Sequence, residues 1–300
     1  MTLAEVAERC YHITSSYLAS SSDSAIVGST KEALNLTRRY FLQDVFTQWN
    51  PFSKKLSFSY NGGKDCQVLL ILYLSCLWEF FAESVGSSQY PAQYHQFPLR
   101  FLPTVYINQT ETFTTLENSI ESTRKRYFLS VYESPQNQTS MPEAFKKFLD
   151  VHPQTEAIVI GIRHTDPFGS DLDCVQKTDK NWPTFMRIQP LLHWKLANVW
   201  SLLLYSNEEI CGLYETGFTS IGSINSTVPN PFLKKSHSDL QNPFQWEIEN
   251  AFGKRKEDIN KVRVSKLSSA DVQLFAGCSD DEYYPGWYLV DDSLERAGRS

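Results

Sequence analysis

The residues best suited to chemistry lie in the run Ser59-Tyr60-Asn61-Gly62-Gly63-Lys64-Asp65-Cys66, preceded by Leu56-Ser57-Phe58 and followed by the apolar run Val68-Leu69-Leu70-Ile71-Leu72. This order predicts a short strand, a double-glycine turn and the first turn of a helix. A strand feeding a helix N-terminus leaves backbone N–H groups facing open space, where the helix dipole adds about half a positive charge. Adjacent glycines let an anion approach the main chain with no Cβ in the way. The pattern points to a nucleotide phosphate. A Walker loop would need two glycines four residues apart followed by Lys-Ser or Lys-Thr, and the dinucleotide fingerprint needs a third glycine; neither is met here. The competing reading is an ordinary βα turn whose glycines serve packing.

Such a loop needs a frame. Leu3, Val6, Ala7 and Cys10 recur at helical spacing and residues 31–49 form a second amphipathic stretch, so residues 1–50 are expected to be helical. Strand-like and helix-like segments then alternate: strand 56–60, helix 64–83, strand 103–107, helix 115–129, helix 142–149 and strand 157–160, with a further strand at 186–192 and a helix at 195–205. Apolar strands alternating with helices predict an α/β fold, a mostly parallel twisted sheet with helices on both faces. Ligands in such sheets sit beyond the carboxyl ends of the strands, which singles out residues 61–65, 108–111 and 163–166. A single domain is expected over 1–300: N-terminal helices to residue 50, an α/β core over 51–192 and a helical and irregular extension over 193–300. The polar stretch from Arg163 to Pro183 mixes aromatics with Asp, Arg and Asn and is long for a mere connection, so it reads as a binding loop. Residues 217–231 are turn-rich, 234–282 are weakly patterned, and the aromatic tail 283–290 is expected to pack on the body.

With 300 residues, 41% of them hydrophobic and 21% charged, the chain can bury a sizeable core. Its formal net charge of -6 excludes a broad nucleic-acid footprint and leaves any polyanion to local basic clusters. No basic leader precedes an apolar core at the start, and the apolar stretch 68–78, interrupted by Ser75 and Cys76, is short for a bilayer. Six scattered cysteines without a Cys-x-x-Cys pair argue against zinc and against a disulfide scaffold, and favour a reducing compartment, the cytosol. The glycosylation-type sequons at Asn35, Asn108, Asn137 and Asn225 then read as chance matches. A monomer without nucleic-acid or membrane partners is expected.

Four segments taken together resemble one family: the loop 59–66, Gly161-Ile162-Arg163-His164-Thr165-Asp166-Pro167, Thr178-Asp179-Lys180-Asn181-Trp182-Pro183 and Glu295-Arg296-Ala297-Gly298-Arg299. They look like eukaryotic FAD synthases, in particular the yeast-type FMN adenylyltransferases, with matching pieces from about residue 50 to the C-terminus. The loop alone is shared with the wider ATP-pyrophosphatase and phosphoadenosine-phosphosulfate-reductase-like group; its combination with Thr-Asp-x-x-Trp-Pro is specific. The resemblance implies that ATP and FMN are converted to FAD and pyrophosphate with Mg²⁺.

By the same resemblance, the backbone at Asn61, Gly62 and Gly63 holds ATP phosphates, Asn61 near the reacting centre, with Ser59 and Tyr60 among the nucleotide-binding residues, and Asp65 is a direct or water-mediated magnesium partner. A first-turn helix Asp is the alternative reading of Asp65. Lys64 is a phosphate contact or an exposed lysine. Ile107 and Asn108 match an adenosine-holding segment, with plain core equally open for Ile107. Gly161 and Arg163 fall beside the nucleotide, Arg163 as a phosphate or ribose contact. Asp166, Asp179, Asn181 and Trp182 resemble a flavin site, within a loop of about 163–187, and Arg187 is placed to meet the FMN phosphate or the flavin; a loop-stabilising Asx turn is the alternative reading of Asp179. Arg296 and Arg299, three residues apart on a helical turn, would stabilise departing pyrophosphate.

Three other readings compete. A phosphosulfate reductase shares the loop but needs a nucleophilic cysteine in a Glu-Cys-Gly-x-His type motif, which Gly277-Cys278-Ser279-Asp280 does not provide. A tRNA-modifying pyrophosphatase would show a basic surface. A flavin carrier would bind FMN or FAD without turnover.

Overall fold

The computed structural model describes residues 1–86, 96–108, 111–135, 140–236, 239–258, 260–275 and 282–300. Helix α1 (Leu3–Ala19) opens on a capping box in which Thr2 and Glu5 satisfy each other's backbone donors, and it buries Leu3, Val6, Ala7, Cys10 and Ile13. Helix α2 (Ala25–Arg39) starts six residues before the expected amphipathic stretch and passes into a π-helical segment (Tyr40–Val45) and a short α3 (Phe46–Gln48). The α/β core follows: β1 (Leu56–Ser59), α4 (Lys64–Gly86), β2 (Leu102–Tyr106), α5 (Thr114–Arg126), β3 (Leu129–Glu133), α6 (Met141–Val151), β4 (Ala157–Val159), β5 (Val175–Lys177) and β6 (Met186–Ile188). Helix α7 (Leu196–Ser206), two short helices α8 (Gln245–Glu249) and α9 (Ser269–Phe275), and several 3₁₀ turns complete it.

The six strands lie in the order β3-β2-β1-β4-β6-β5, parallel except for β5. The chain runs outward from β1 to β2 and β3, then returns to place β4 on the other side of β1. This reversal sends the crossover helices to opposite faces, because parallel crossovers are right-handed. Leu56, Phe58, Ala157 and Val159 face a large core shared with α1, α2, α4, α5 and α7. Val105 and Ile158 face a smaller cluster built on Phe145 and Phe148 of α6. The reversal also opens a crevice between β1 and β4, where neighbouring connections leave in opposite directions.

Two strands escaped the sequence reading, and both lie at sheet edges. Strand β3 occupies residues expected partly as helix: α5 stops at Arg126, and Phe128 turns the chain at φ +53 before the strand begins. Strand β5 has only three residues, two half-buried and one exposed, and lies within the expected binding loop. Edge strands carry a weak hydrophobic signal because little of them is buried. The strand expected over 186–192 is shorter, ending at Ile188. Helix α4 has the length and hydropathy to cross a membrane over Lys64–Val85, but two thirds of it is buried, and its apolar run from Val68 to Leu74 lies within the main core. The aromatic tail packs as expected, with Trp287 buried and edge-on to Trp200 at 6.1 Å.

Candidate active site

The loops leaving β1 and β4 face each other across the crevice and frame a polar cleft of about 240 Å³. Gly62 adopts φ +77, and a Cβ there would lie 2.6 Å from Ile120 and 2.8 Å from Leu116, so the loop can press onto α5 only with glycine at this position. Asn61 Oδ1 accepts the Gly63 N–H at 2.9 Å, and the Tyr214 hydroxyl accepts the Lys64 N–H at 2.9 Å. Two backbone donors expected to face phosphate are therefore committed inside the chain. The Asn61 amide NH₂ keeps no partner among the described residues. Ser59 is half-buried, and the Tyr60 side chain is buried in the main core, so it is not a ligand contact. Gly161 closes the other side: a Cβ there would press on the Cys66 backbone and Sγ at 3.1–3.3 Å.

Beneath the cleft lies an ion network. Arg163 is fully buried, with Nε 2.8 Å from Asp65, Nη1 3.0 Å from Asp292 and Nη2 3.4 Å from Asp166 and paired with Glu295. Lys64 is also buried and pairs with Asp65 at 3.0 Å and with Glu295. Two expectations are corrected here. Arg163 is enclosed by carboxylates rather than presented to a phosphate or ribose, and Lys64 is neither exposed nor free. Burial would raise the Asp65 carboxyl, but Lys64 and Arg163 outweigh it and hold the group below the usual carboxylate range. Asp166 moves upward because burial and the neighbouring Asp65 outweigh its contact with Arg163. Around the two cations the four carboxylates leave a formal surplus of two negative charges.

The positive side of the cleft comes from the C-terminus. A 3₁₀ turn (Asp292–Leu294) and the turn after it bring both Arg296 and Arg299 to the cleft wall. Neither has a carboxylate within salt-bridge distance among the described residues. Arg299 donates to Ser220 Oγ at 3.2 Å, and its Nε is buried without a partner. Burial and the adjacent Arg296 lower the Arg299 pKa. The acids of this region gather around Lys64 and Arg163, and the two remaining guanidinium groups face a helix N-terminus. That is an anion site.

The expected flavin residues fall into two groups. Asp166 belongs to the phosphate cleft through Arg163, whose backbone N–H it accepts at 2.8 Å. Asp179, Asn181 and Trp182 lie in the connection between antiparallel β5 and β6, with Arg187 on β6 beside them. Asp179 is exposed and sits 3.4 Å from Arg187, whose guanidinium is largely buried. The Trp182 N–H donates to the Asp179 carbonyl at 2.9 Å, and its ring packs at 5.8 Å on Phe145. Trp182 thereby joins the α6-side cluster with Ile107 and Ile160, just beyond the carboxyl ends of β2 and β4. Ile107 is thus partly core, and Asn108 is tied to Ser134 by its backbone N–H at 2.9 Å and its amide at 2.5 Å. Residues 109–110, Asn137 and Cys278 lie outside the described residues.

The phosphoadenosine phosphosulfate reductase domain family matches residues 55–229. The flavin adenine dinucleotide synthase of Saccharomyces cerevisiae is 55% identical to this chain, over 100% of it and 99% of that relative. The chain belongs to the FAD synthase family. A crystal structure of yeast FAD synthetase in complex with FAD superimposes with TM-score 0.92 at 55% identity, covering 100% of both chains. That of Candida glabrata FMN adenylyltransferase with FMN and the ATP analogue AMPCPP gives TM-score 0.89 at 52% identity, again over 100% of both.

For a member of this family, four structural residues went unnoticed in the sequence. Glu295 was visible only as an acid next to two arginines. Asp292, which joins Arg163 and accepts the first α7 N–H from Leu196 at 2.8 Å, had no signal. Tyr214 and Gly222 had none either, since both act through contacts more than 75 residues away in the chain.

Proposed function

We propose that this FAD synthase binds the ATP triphosphate in the cleft between residues 61–65 and the pair Arg296 and Arg299. The chain is an FMN adenylyltransferase. A phosphate oxygen of FMN attacks the α-phosphorus of ATP, the bond to the bridging oxygen of the β-phosphate breaks, and pyrophosphate leaves with that electron pair. Positioning and charge neutralisation carry such a step, because two polyanions meet and a third departs. The single observation that carries the reading is the pair of guanidinium groups that have no carboxylate partner among the described residues, set across from a glycine loop at a helix N-terminus. These arginines are suited to the charge growing on pyrophosphate, and the Asn61 amide to a phosphate oxygen beside it. The relatives with FAD, and with FMN and an ATP analogue, support the same pairing of substrates.

Magnesium fits this site as an ion carried mainly by phosphates. Among the described residues no three His, Cys, Asp or Glu side chains form a metal cage. The Asp65 Oδ1 atom is buried and lacks a hydrogen bond, since its contact with Arg163 Nε is off-angle, and the network has surplus negative charge. One carboxylate, phosphate oxygens and water are a usual shell for this ion, which neutralises phosphate charge when bound. Asp65 would hold it. The exposed Asp179, backed by Arg187, is suited to accept from the flavin ring edge, and Trp182 to wall the ring. A cytosolic monomer accompanies the proposal; the described cysteines, all unpaired, agree with a reducing compartment.

The test is to mix FMN, ATP and Mg²⁺ with the protein and follow FAD by chromatography and pyrophosphate by a coupled assay. Both products are expected in equal amounts. Bound flavin without pyrophosphate would make the protein a carrier and end the proposal.

A further inference from the structure

We propose that Glu295 is a positioning residue for catalysis, setting the distance between the phosphate loop and the two cleft arginines. Glu295 is 5% exposed, and its carboxylate splits its oxygens between Lys64 Nζ and the Arg163 guanidinium. Asp65, on the phosphate loop, divides its oxygens between the same two cations, at 3.0 Å and 2.8 Å. One carboxylate of the loop and one of the C-terminal strap are thus joined through a shared pair of buried charges. The strap is also held behind the carboxylate. The Glu295 carbonyl accepts from Thr219 Oγ1 at 2.6 Å, and the buried Asn230 amide donates to Thr219 Oγ1 at 2.9 Å and to the Leu294 carbonyl at 2.8 Å. Arg296 is the next residue, and its carbonyl accepts the Arg299 N–H at 2.9 Å. A one-residue lever therefore connects the clamp to the guanidinium groups.

From position 295 an aspartate, one methylene shorter, would not reach the two cations; a glutamine keeps the shape but loses the charge that draws them together. Misplacing a catalytic group by about 1 Å can cost about a hundredfold in rate, so small movements of this lever matter.

The inference rests on the adenylyl-transfer reading, and a double-mutant cycle separates the two. Steady-state kcat and KM for FMN and ATP are measured for wild type, Glu295→Gln, Arg296→Ala and the double variant. Glu295→Gln is expected to lose at least about tenfold in kcat with KM for FMN changed less than about threefold. If Glu295 acts through the arginines, the double variant falls no more than about threefold below Arg296→Ala. Losses that multiply, or a Glu295→Gln kcat within about threefold of wild type, would overturn the proposal. Should the glutamine variant fail to fold, Thr219→Val, which releases the Glu295 carbonyl and leaves the buried charges in place, takes its position in the cycle with the same two outcomes. Absence of turnover in the wild type would sink the functional reading instead.

Discussion

The Arg299 guanidinium packs directly on Gly222: a Cβ built on that glycine would overlap Nη1, Nη2 and Cζ of the arginine. The contact is reinforced by the Ser220 hydrogen bond and by an antiparallel bridge between Thr227 and Arg299. Gly222→Ala is therefore expected to push the guanidinium from its place while leaving the residue itself in the chain. Turnover should drop by about two orders of magnitude, the cost of misaiming one charge-stabilising group. FMN binding, followed by flavin fluorescence, should be unchanged. Normal turnover in this variant would mean that Arg299 is not held where the reaction needs it.

Ending the chain after Glu295 removes both cleft arginines. The fold should survive, because the lost backbone contacts are few: Ala297 donates to Leu294 at 3.1 Å, Gly298 accepts from Val228 at 2.9 Å and Ser300 donates to Ser226 at 3.2 Å. FAD formation should fall by at least about a thousandfold with a far-ultraviolet circular dichroism spectrum like that of the intact protein. Near-normal activity would remove the arginines from the mechanism.

Arg163→Leu leaves Asp65, Asp166, Asp292 and Glu295 around an apolar side chain. Breaking a buried ion network by removing one partner costs about 3–5 kcal/mol. Chemical denaturation should report a loss of that order. Lysine should not restore it, since a single ammonium does not span the carboxylates that the forked guanidinium reaches.

Asp65→Ala and Asp179→Ala should separate the two substrates. Asp65 faces the phosphate cleft and the buried cations, so its loss should lower kcat with FMN still retained. Asp179 lies in the connection between β5 and β6, so its loss should weaken FMN retention first. Fluorescence titration with FMN beside a pyrophosphate assay distinguishes them; two wild-type-like variants would overturn the site assignment.

Away from the cleft, Glu247 gives a pH signature. Its Oε1 accepts from Ser201 at 2.5 Å, Tyr17 is linked to that Ser201 hydroxyl at 2.6 Å, and Oε2 is buried with no partner among the described residues. Burial raises the carboxyl pKa, and the Ser201 hydrogen bond only partly opposes it. A raised folded-state value means that the folded protein holds this proton more tightly than the unfolded chain. The stability it contributes is complete below the unfolded glutamate value, about 4.3, and is lost as pH rises through the folded value. Glu247→Gln should remove this dependence. The melting temperature of the variant relative to wild type should climb with pH across that window; a gap that stays flat would show that the carboxyl is not perturbed.

Much of this protein is legible along the chain because its signals are local. The helix α1 periodicity, the strand-turn-helix order around Gly62, and the acid-aromatic run Thr178-Asp179-Lys180-Asn181-Trp182-Pro183 each depend on neighbours within a few residues, and local chemistry repeats wherever such residues recur. They were sufficient for the fold class and, with the resemblance they carry, for the family. The roles of Arg163 and Lys64 were not legible, since an arginine after a strand reads the same whether it meets a phosphate or four carboxylates. What decided between these was the return of residues 292–299 to the β1–β4 crevice, more than 120 positions downstream of Arg163, which brought Asp292 and Glu295 onto the buried cations and left Arg296 and Arg299 with no carboxylate partner among the described residues. Charge pairing in a buried site depends on which groups share the space, and only the packed chain determines that.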